Sequence, residues 1–252
     1  MTGDDLLIPK KIHYCWFGRN PKPELAEKCI ESWKKFCSDY EIIEWNEDNF
    51  DIQSAPLFVR QAYEVKKWAF VTDYVRLEIV YNNGGVYLDT DVEVIKPLDD
   101  LLKYNAFFGT QNGIVINTGL GFGAEKKTAI LMELMANYQS IPFIKEDGSY
   151  DSLTCPERDT EVFIKHGLIG DNSLQILDGN IACLPLDYLS PKDYMTGNLT
   201  ITDNTHTIHH FAESWMTEQE KKNMDEVRRS LYNPTAKERF KRWAVRTFKN
   251  RR

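Results

Sequence analysis

The chain has 252 residues, of which 42% are hydrophobic and 27% charged, and its formal net charge is −7. That is enough apolar matter for one sizeable α/β domain, or a core with a small appendage, with a charge content ordinary for a soluble protein. No apolar run approaches the roughly 20 residues that cross a bilayer. Met1-Thr2-Gly3-Asp4-Asp5 has no basic segment leading into an apolar stretch, so no secretory signal is expected.

The five cysteines, Cys15, Cys29, Cys37, Cys155 and Cys183, are odd in number, and no pair has the two-residue gap of a zinc or redox motif. Reduced thiols in a cytosolic setting are expected, with Cys15 as core filling. The charge is unevenly spread. Residues 236–252 hold eight basic side chains and one acidic one, a tail of +7 on a body of −14. Such a tail points to an anionic partner.

Taken in order, Lys11 to Phe17 reads as a buried strand. Pro23 to Phe36 has helical spacing at Leu25, Cys29, Ile30 and Trp33. Tyr40 to Trp45 is a second strand, which completes a β-α-β opening typical of a nucleotide-binding layer. Leu57 to Tyr81 is helical with a break near Lys66-Lys67. Asn82-Asn83-Gly84-Gly85 ends it, because Gly and Asn tolerate a left-handed cap. Val86 to Asp89 and Val92 to Ile95 are extended. Further on, strands are expected at Ala106–Gly109, Ile114–Ile116, Ser173–Leu177, Ile181–Leu184 and Thr205–Phe211. Helices are expected at Lys126–Tyr138, Glu157–His166, Thr217–Leu231 and from Pro234 onward. There is no repeat and no low-complexity segment.

Asp89 and Asp91 stand two apart at a strand end, so both carboxylates face one way and can approach one cation. Carboxylate oxygens suit Mg²⁺ or Mn²⁺, which would bridge a diphosphate and neutralise the charge on its departure. A lone Asp-x-Asp is a weak signal. Its setting after Gly84-Gly85-Val86-Tyr87-Leu88, at the carboxyl end of a strand where α/β sheets bind ligands, sharpens it. Asp73 and Arg76, three apart on the preceding helix, make either a plain intrahelical pair or a sugar-binding pair. Beside the Asp-Thr-Asp, the second reading is preferred.

Three strings, Ile8-Pro9-Lys10-Lys11-Ile12-His13-Tyr14-Cys15-Trp16-Phe17-Gly18, Phe70-Val71-Thr72-Asp73-Tyr74-Val75-Arg76 and Gly84 to Asp91, in this order, resemble glycosyltransferase family 32. That family includes initiating mannosyltransferases and capsular polysaccharide transferases, and it shares its central motifs with the clostridial toxin glucosyltransferase domains. The match runs from about residue 8 to 102 and returns near 205 to 216. The resemblance implies an α/β GT-A fold with one nucleotide-binding sheet and helices on both faces, covering residues 1–232; the residues of 233–252 themselves point to a basic amphipathic helix. The resemblance also implies retention of anomeric configuration and metal dependence.

By that resemblance, Tyr14, Cys15 and Trp16 hold the nucleobase, and Asp73 and Arg76 contact donor ribose or sugar. Asp89 touches ribose or metal, Asp91 ligates the metal, and Tyr87 and Asn117 line the donor site. The late segment Ile208-His209-His210-Phe211-Ala212-Glu213-Ser214-Trp215 supplies one histidine to the metal. His210 is preferred because His-aromatic is the more usual pattern. Ser214 and Trp215 close over the diphosphate. Thr154-Cys155-Pro156-Glu157 departs from the Thr-Gly-Pro of relatives, which leaves the acceptor side open.

No carboxylate stands out as a nucleophile, with Asp159 and Glu161 only distant candidates, so front-face departure of the leaving group is preferred. The expected donor is UDP-galactose or UDP-glucose, ahead of UDP-N-acetyl sugars and GDP-mannose. The expected acceptor is a glycan or lipid-linked oligosaccharide of capsule or surface polysaccharide synthesis. A cytoplasmic enzyme is implied. Its tail, with Phe240, Trp243, Val245 and Phe248 among basic residues, would touch the anionic inner membrane surface rather than nucleic acid, given the acidic body. Two other readings compete. One is a non-catalytic nucleotide-sugar-binding protein on the same fold. The other is a haloacid-dehalogenase-type phosphatase, disfavoured because its Asp-x-Asp lies on the first strand and because Glu93 occupies the place of its Thr or Val.

Overall fold

A computed structural model describes residues 6–214 and 216–232. Trp215 and the basic tail beyond Tyr232, including the helix expected there, lie outside the described residues. The described residues form two compact units, residues 6–192 with 199–211, and residues 193–198 with 212–214 and 216–232.

The first unit opens with β1 (Lys11–Cys15), α1 (Glu24–Phe36) and β2 (Glu41–Trp45). Two helices follow, α2 (Leu57–Glu64) and α3 (Trp68–Asn83), separated at Val65-Lys66-Lys67 as the sequence indicates. Next come β3 (Gly85–Tyr87), β4 (Val92–Val94), β5 (Ala106–Gln111), β6 (Val115–Ile116), β7 (Phe122–Ala124), α4 (Ala129–Gln139) and α5 (Cys155–Lys165). The unit ends with β8 (Gln175–Leu177), β9 (Ile181–Leu184), a short α6 (Leu186–Leu189) and β10 (Thr207–His209). The main sheet runs β2-β1-β3-β7-β5-β9-β8, with β6 attached to β5, and β4 and β10 form a separate two-stranded ladder. β1 pairs in parallel with both β2 and β3, whereas β7 is antiparallel to its neighbours, so the sheet is mixed.

Strand alternation divides the apolar residues between two cores. Ile12, Val86, Phe107, Ala182 and Leu184 pack with Cys29, Ile30 and Trp33 of α1 on one side. Cys15, Tyr87, Ala106, Phe108, Ile181 and Cys183 pack with α2, α3, α4 and α5 on the other. Helices therefore cover both faces, as expected. The strand at Phe122–Ala124 was not read from the sequence. Its glycine-rich string suggests a turn, yet Gly123 is a strand residue whose missing side chain makes room for the Phe107 ring, 2.4 Å from where a Cβ would stand.

The second unit contains α7 (Glu218–Tyr232), a helix with no buried residue. Arg228 pairs there with Glu213 and lies over the Tyr194 ring at 4.5 Å. Among the described residues no helix is long and apolar enough to cross a membrane. All five cysteines are buried free thiols, Cys15 within the core as its apolar run indicates.

His13 ties β1 to its surroundings. Its Nδ1 faces Trp45 Nε1 at 3.0 Å and its Nε2 faces the Gly84 carbonyl at 2.9 Å. Indole nitrogen only donates, so Nδ1 accepts and Nε2 carries the single proton. A second proton would set two donors face to face. Burial, the largest influence, holds the His13 pKa below its ordinary value. The contribution of this ring to stability is thus complete above the unfolded-state value of about 6.5 and is lost as pH falls through the folded-state value. The melting temperature of the wild type should exceed that of His13→Gln most at about pH 8, and the lead should shrink by about pH 5. A lead that is constant with pH would show that His13 is not folded as the neutral ring.

Candidate active site

The site is built around Arg76. Its position on α3, one turn after Thr72 and Asp73, lets the guanidinium fold back along the helix. Nε donates to the Thr72 carbonyl at 2.9 Å, and Nη2 donates to Thr72 Oγ1 at 3.1 Å and to Asp73 Oδ1 at 2.9 Å. Nη1 lies 3.5 Å from Asp89 Oδ2, and the group sits over the Tyr87 ring at 5.2 Å. The pair is therefore a buried bridge between α3 and the end of β3, not a solvated surface pair. Burial is the main influence on Asp73 and pushes its pKa up to about 6, with Arg76 pulling the other way.

β3 delivers Asp89 to this guanidinium. Tyr87 and Asp89 are two apart on one face of the chain, and the Tyr87 hydroxyl donates to Asp89 Oδ1 at 2.8 Å. Burial also raises the Asp89 pKa, opposed by Arg76 and reinforced by Asp91. Asp91 faces His209, whose Nε2 stands 3.2 Å from Asp91 Oδ1. Burial opposes a charge on His209, but Asp91 and then Asp89 outweigh it and hold the imidazole pKa above its ordinary value.

One ligand atom from each of Asp89, Asp91 and His209 lies within 4.8 Å of the others. Two carboxylates and an imidazole form a donor set that fits Mn²⁺ and, with less preference, Mg²⁺. These residues would hold the ion, and binding it would displace the proton that Asp91 favours on His209.

His209, not His210, joins the two aspartates, which corrects the expectation from the sequence. β10 pairs antiparallel with β4, with His209 opposite Val92. The ring of His209 consequently falls on the Asp91 side, and the next residue projects the other way. His210 Nε2 meets Glu93 Oε2 at 2.8 Å, while its backbone N–H donates to the Asp91 carbonyl at 2.9 Å. His210 thus supports the backbone of Asp91 from outside the donor set.

The three residues expected at the nucleobase divide between the faces of the sheet. Cys15 is on the side of Arg76, Asp89 and Tyr87, all of which act on its thiol, and burial pushes its pKa far up. Tyr14 and Trp16 are on the α1 side. The Tyr14 hydroxyl donates to Glu44 at 2.6 Å and its ring meets Trp33 edge-on at 5.5 Å, whereas Trp16 is half-buried and donates to the Asn20 carbonyl at 2.6 Å. Asn117 is used within its own turn: Oδ1 accepts from the Gly119 N–H at 2.8 Å and Nδ2 donates to Gln111 at 2.9 Å. Ser214 is exposed in the second unit.

Gly119 is a site residue that the sequence does not single out. A Cβ at Gly119 would lie 2.9 Å from Asp89 Oδ2, 3.0 Å from Asn117 Oδ1 and 3.1 Å from Arg76 Nη1. Its backbone is a wall of the site. Asp159, weighed above as a nucleophile, is completely buried and accepts from Thr118 Oγ1 at 2.8 Å, and Glu161 is exposed.

Residues 23–108 match the family model described as the glycosyltransferase sugar-binding region containing a DXD motif. Asp73, Arg76, Asp89 and Asp91 all fall inside it. The chain is similar to inositol phosphoceramide mannosyltransferase 3 of Schizosaccharomyces pombe, 31% identical over 147 residues, covering 54% of this chain and 38% of that protein. It is also similar to inositol phosphoceramide mannosyltransferase 1 of the same yeast, 26% identical over 141 residues, covering 52% and 42%. A solved glycosyltransferase involved in glycosylation of the major capsid of PBCV-1 aligns over 86% of this chain and 100% of its own, at 14% identity and a TM-score of 0.45. The aligned part spans about two-fifths of the curated relatives. The match assigns the part of the chain holding both aspartates of the motif and the Asp73–Arg76 pair to the DXD sugar-binding region, in agreement with the resemblance read from its sequence.

Two outcomes are expected. Gly119→Ala should lower donor-dependent turnover by about a hundredfold, the cost of displacing reacting groups by an ångström. Turnover equal to the wild type would show that Gly119 is not a wall of the site. In Mn²⁺ titrations, His209→Ala should weaken binding by more than about a hundredfold and His210→Ala by about tenfold. The reverse order would restore His210 as the ligand.

Proposed function

We propose that the chain is a metal-dependent glycosyltransferase that moves a hexose from a nucleotide sugar to a hydroxyl of a glycan or lipid-linked acceptor. The observation that carries this reading is the convergence of Asp89, Asp91 and His209 beside the buried Asp73–Arg76 pair. A lone aspartate cluster binds cations without transferring anything. A cation site with a fixed guanidinium and a sugar-accepting carboxylate alongside has the parts a diphosphate sugar needs.

In this reading Asp73 accepts hydrogen bonds from sugar hydroxyls, and Arg76 fixes Asp73 and Asp89 in one orientation. When bound, the cation supplies neutralisation of charge on the diphosphate. Retention fits a front-face route, in which the acceptor hydroxyl gives its proton to the leaving phosphate oxygen as the new glycosidic bond forms. The burial of Asp159 and the exposure of Glu161 support this route over a carboxylate nucleophile. UDP-galactose and UDP-glucose remain the first donors to try. The mannosyltransferase names of the relatives add GDP-mannose on equal terms and a lipid headgroup as an acceptor class.

Thermal stabilisation by UDP, GDP, CMP and their sugars, with and without Mn²⁺, tests the reading. A ligand at a hundred times its dissociation constant adds about 2.7 kcal/mol of stability. One nucleotide family should raise the melting temperature only with Mn²⁺, and Asp91→Asn should abolish both that shift and turnover. Failure of every nucleotide to shift the wild type would overturn the proposal, and an Asp91→Asn variant with intact metal-dependent turnover would overturn the assignment of Asp91. Metal-dependent binding without transfer or donor hydrolysis would favour the non-catalytic binding protein.

A further inference from the structure

Behind the Asp73–Arg76 pair lies a second buried carboxylate that the proposed chemistry does not use. Asp159 on α5 is completely buried. Its Oδ2 accepts from Thr118 Oγ1 at 2.8 Å, and its Oδ1 is buried with no hydrogen-bond partner. The neighbouring residue Thr160 reaches the same segment, accepting from the Ile116 N–H at 3.0 Å. One turn of α5 thus grips the stretch leading into the Asn117–Gly119 turn, and Gly119 is the backbone wall against Asp89 and Arg76.

The groups facing Asp159 are unequally paired. On α3, Asp73 has Arg76 at 2.9 Å, while the Cys155 thiol donates to Asn117 Oδ1 at 3.8 Å. Arg76 is further drawn to Asp89. On α5, the Arg158 guanidinium goes to Asp151 at 2.6 Å. On α4, the Tyr138 hydroxyl is buried without a partner and feels both Asp73 and Asp159. Among the described residues Asp159 has no ion pair, only the neutral hydroxyl of Thr118 and backbone support from the same residue. Leaving a carboxylate ionised in such a place costs several kcal/mol, whereas a protonated carboxyl keeps one acceptor oxygen and turns the other into a donor.

We propose that Asp159 is a positioning residue: as a neutral carboxylic acid it clamps the Asn117–Gly119 turn through Thr118 and leaves Asp73 as the charged partner of Arg76. Burial, the leading influence, pushes its pKa up to about 7, with Asp73 adding to the rise. A single proton shared out this way keeps one negative charge where the sugar hydroxyls are to be bound. The inference rests on the donor-site reading given above.

Infrared difference spectra between wild type and Asp159→Asn test it directly. At about pH 6 an ordinary aspartate is almost wholly ionised, and the bands of Asp73 and Asp89 are common to both proteins and cancel, so the wild-type-minus-variant difference should show the carbonyl band of one protonated carboxyl. Asp159→Asn keeps an acceptor for Thr118 and places an N–H where the O–H was, so its kcat/KM should stay within roughly threefold of wild type. Asp159→Ala should lose about a hundredfold. A missing band, or an Asp159→Asn variant that melts like wild type yet is as impaired as Asp159→Ala, would overturn the proposal. The two readings fail separately: if no nucleotide sugar is turned over, the glycosyltransferase reading fails, while the infrared band still reports the state of Asp159.

Discussion

A buried guanidinium holds this site together. Arg76 is 3% exposed, and a charge so placed is tolerable only if its donors are occupied. Thr72 and Asp73 occupy three of them from the same helix, and Nη1, which has no hydrogen bond of its own, is balanced by the Asp89 carboxylate at 3.5 Å, with the Tyr87 ring beside the group. Each partner is thereby constrained by the rest. Asp89 cannot drift from β3 without exposing the charge, and Gly119 cannot gain a side chain without displacing it. The precision that the chemistry needs is secured by the penalty for stranding a charge in a core. Helical propensity and strand pairing alone would leave these side chains free to turn.

Much of this was legible in the chain. The short apolar runs place β1, β3, β5 and β9, the three-four spacing finds α1, and the break at Lys66-Lys67 separates α2 from α3. The pairing of Asp73 with Arg76 follows from helical spacing, whereas Asp89 and Asp91 are brought together by a turn, with the Val92 N–H donating to the Asp89 carbonyl at 3.0 Å, and not by extended chain. What escaped was set by register and close approach. A histidine pair in a strand gives two opposite faces, and only the pairing of β10 with β4 says which face meets Asp91. The strand at Phe122–Ala124 is hidden because its glycines record how near Phe107 comes, a fact about a residue distant in sequence. Tyr14 and Trp16 lie next to Cys15 in the chain but across the sheet from it in space.

The two-sided sheet also separates tasks. The α1 side contributes Trp33, whose indole donates to the Val92 carbonyl at 2.7 Å and so anchors the β4 ladder that carries His209. The α3 side contributes the charged groups. The Asp89-Thr90-Asp91 turn crosses from the main sheet to the small ladder, which is why one carboxylate answers to Arg76 and the next to His209. A cation held by both would add a direct tie between two ladders that already share the α1-side core.

The five free thiols are all buried, and burial raises the pKa of each. Reaction with a thiol reagent needs both access and the thiolate, and the native fold withholds both. Alkylation of this chain therefore counts molecules that have opened. Cys15, on β1, reports the parting of the first strand from α3, while Cys155 reports the lifting of α5 from the site. Mapping which cysteine is modified first would show, without any sugar or nucleotide, where the molecule begins to come apart.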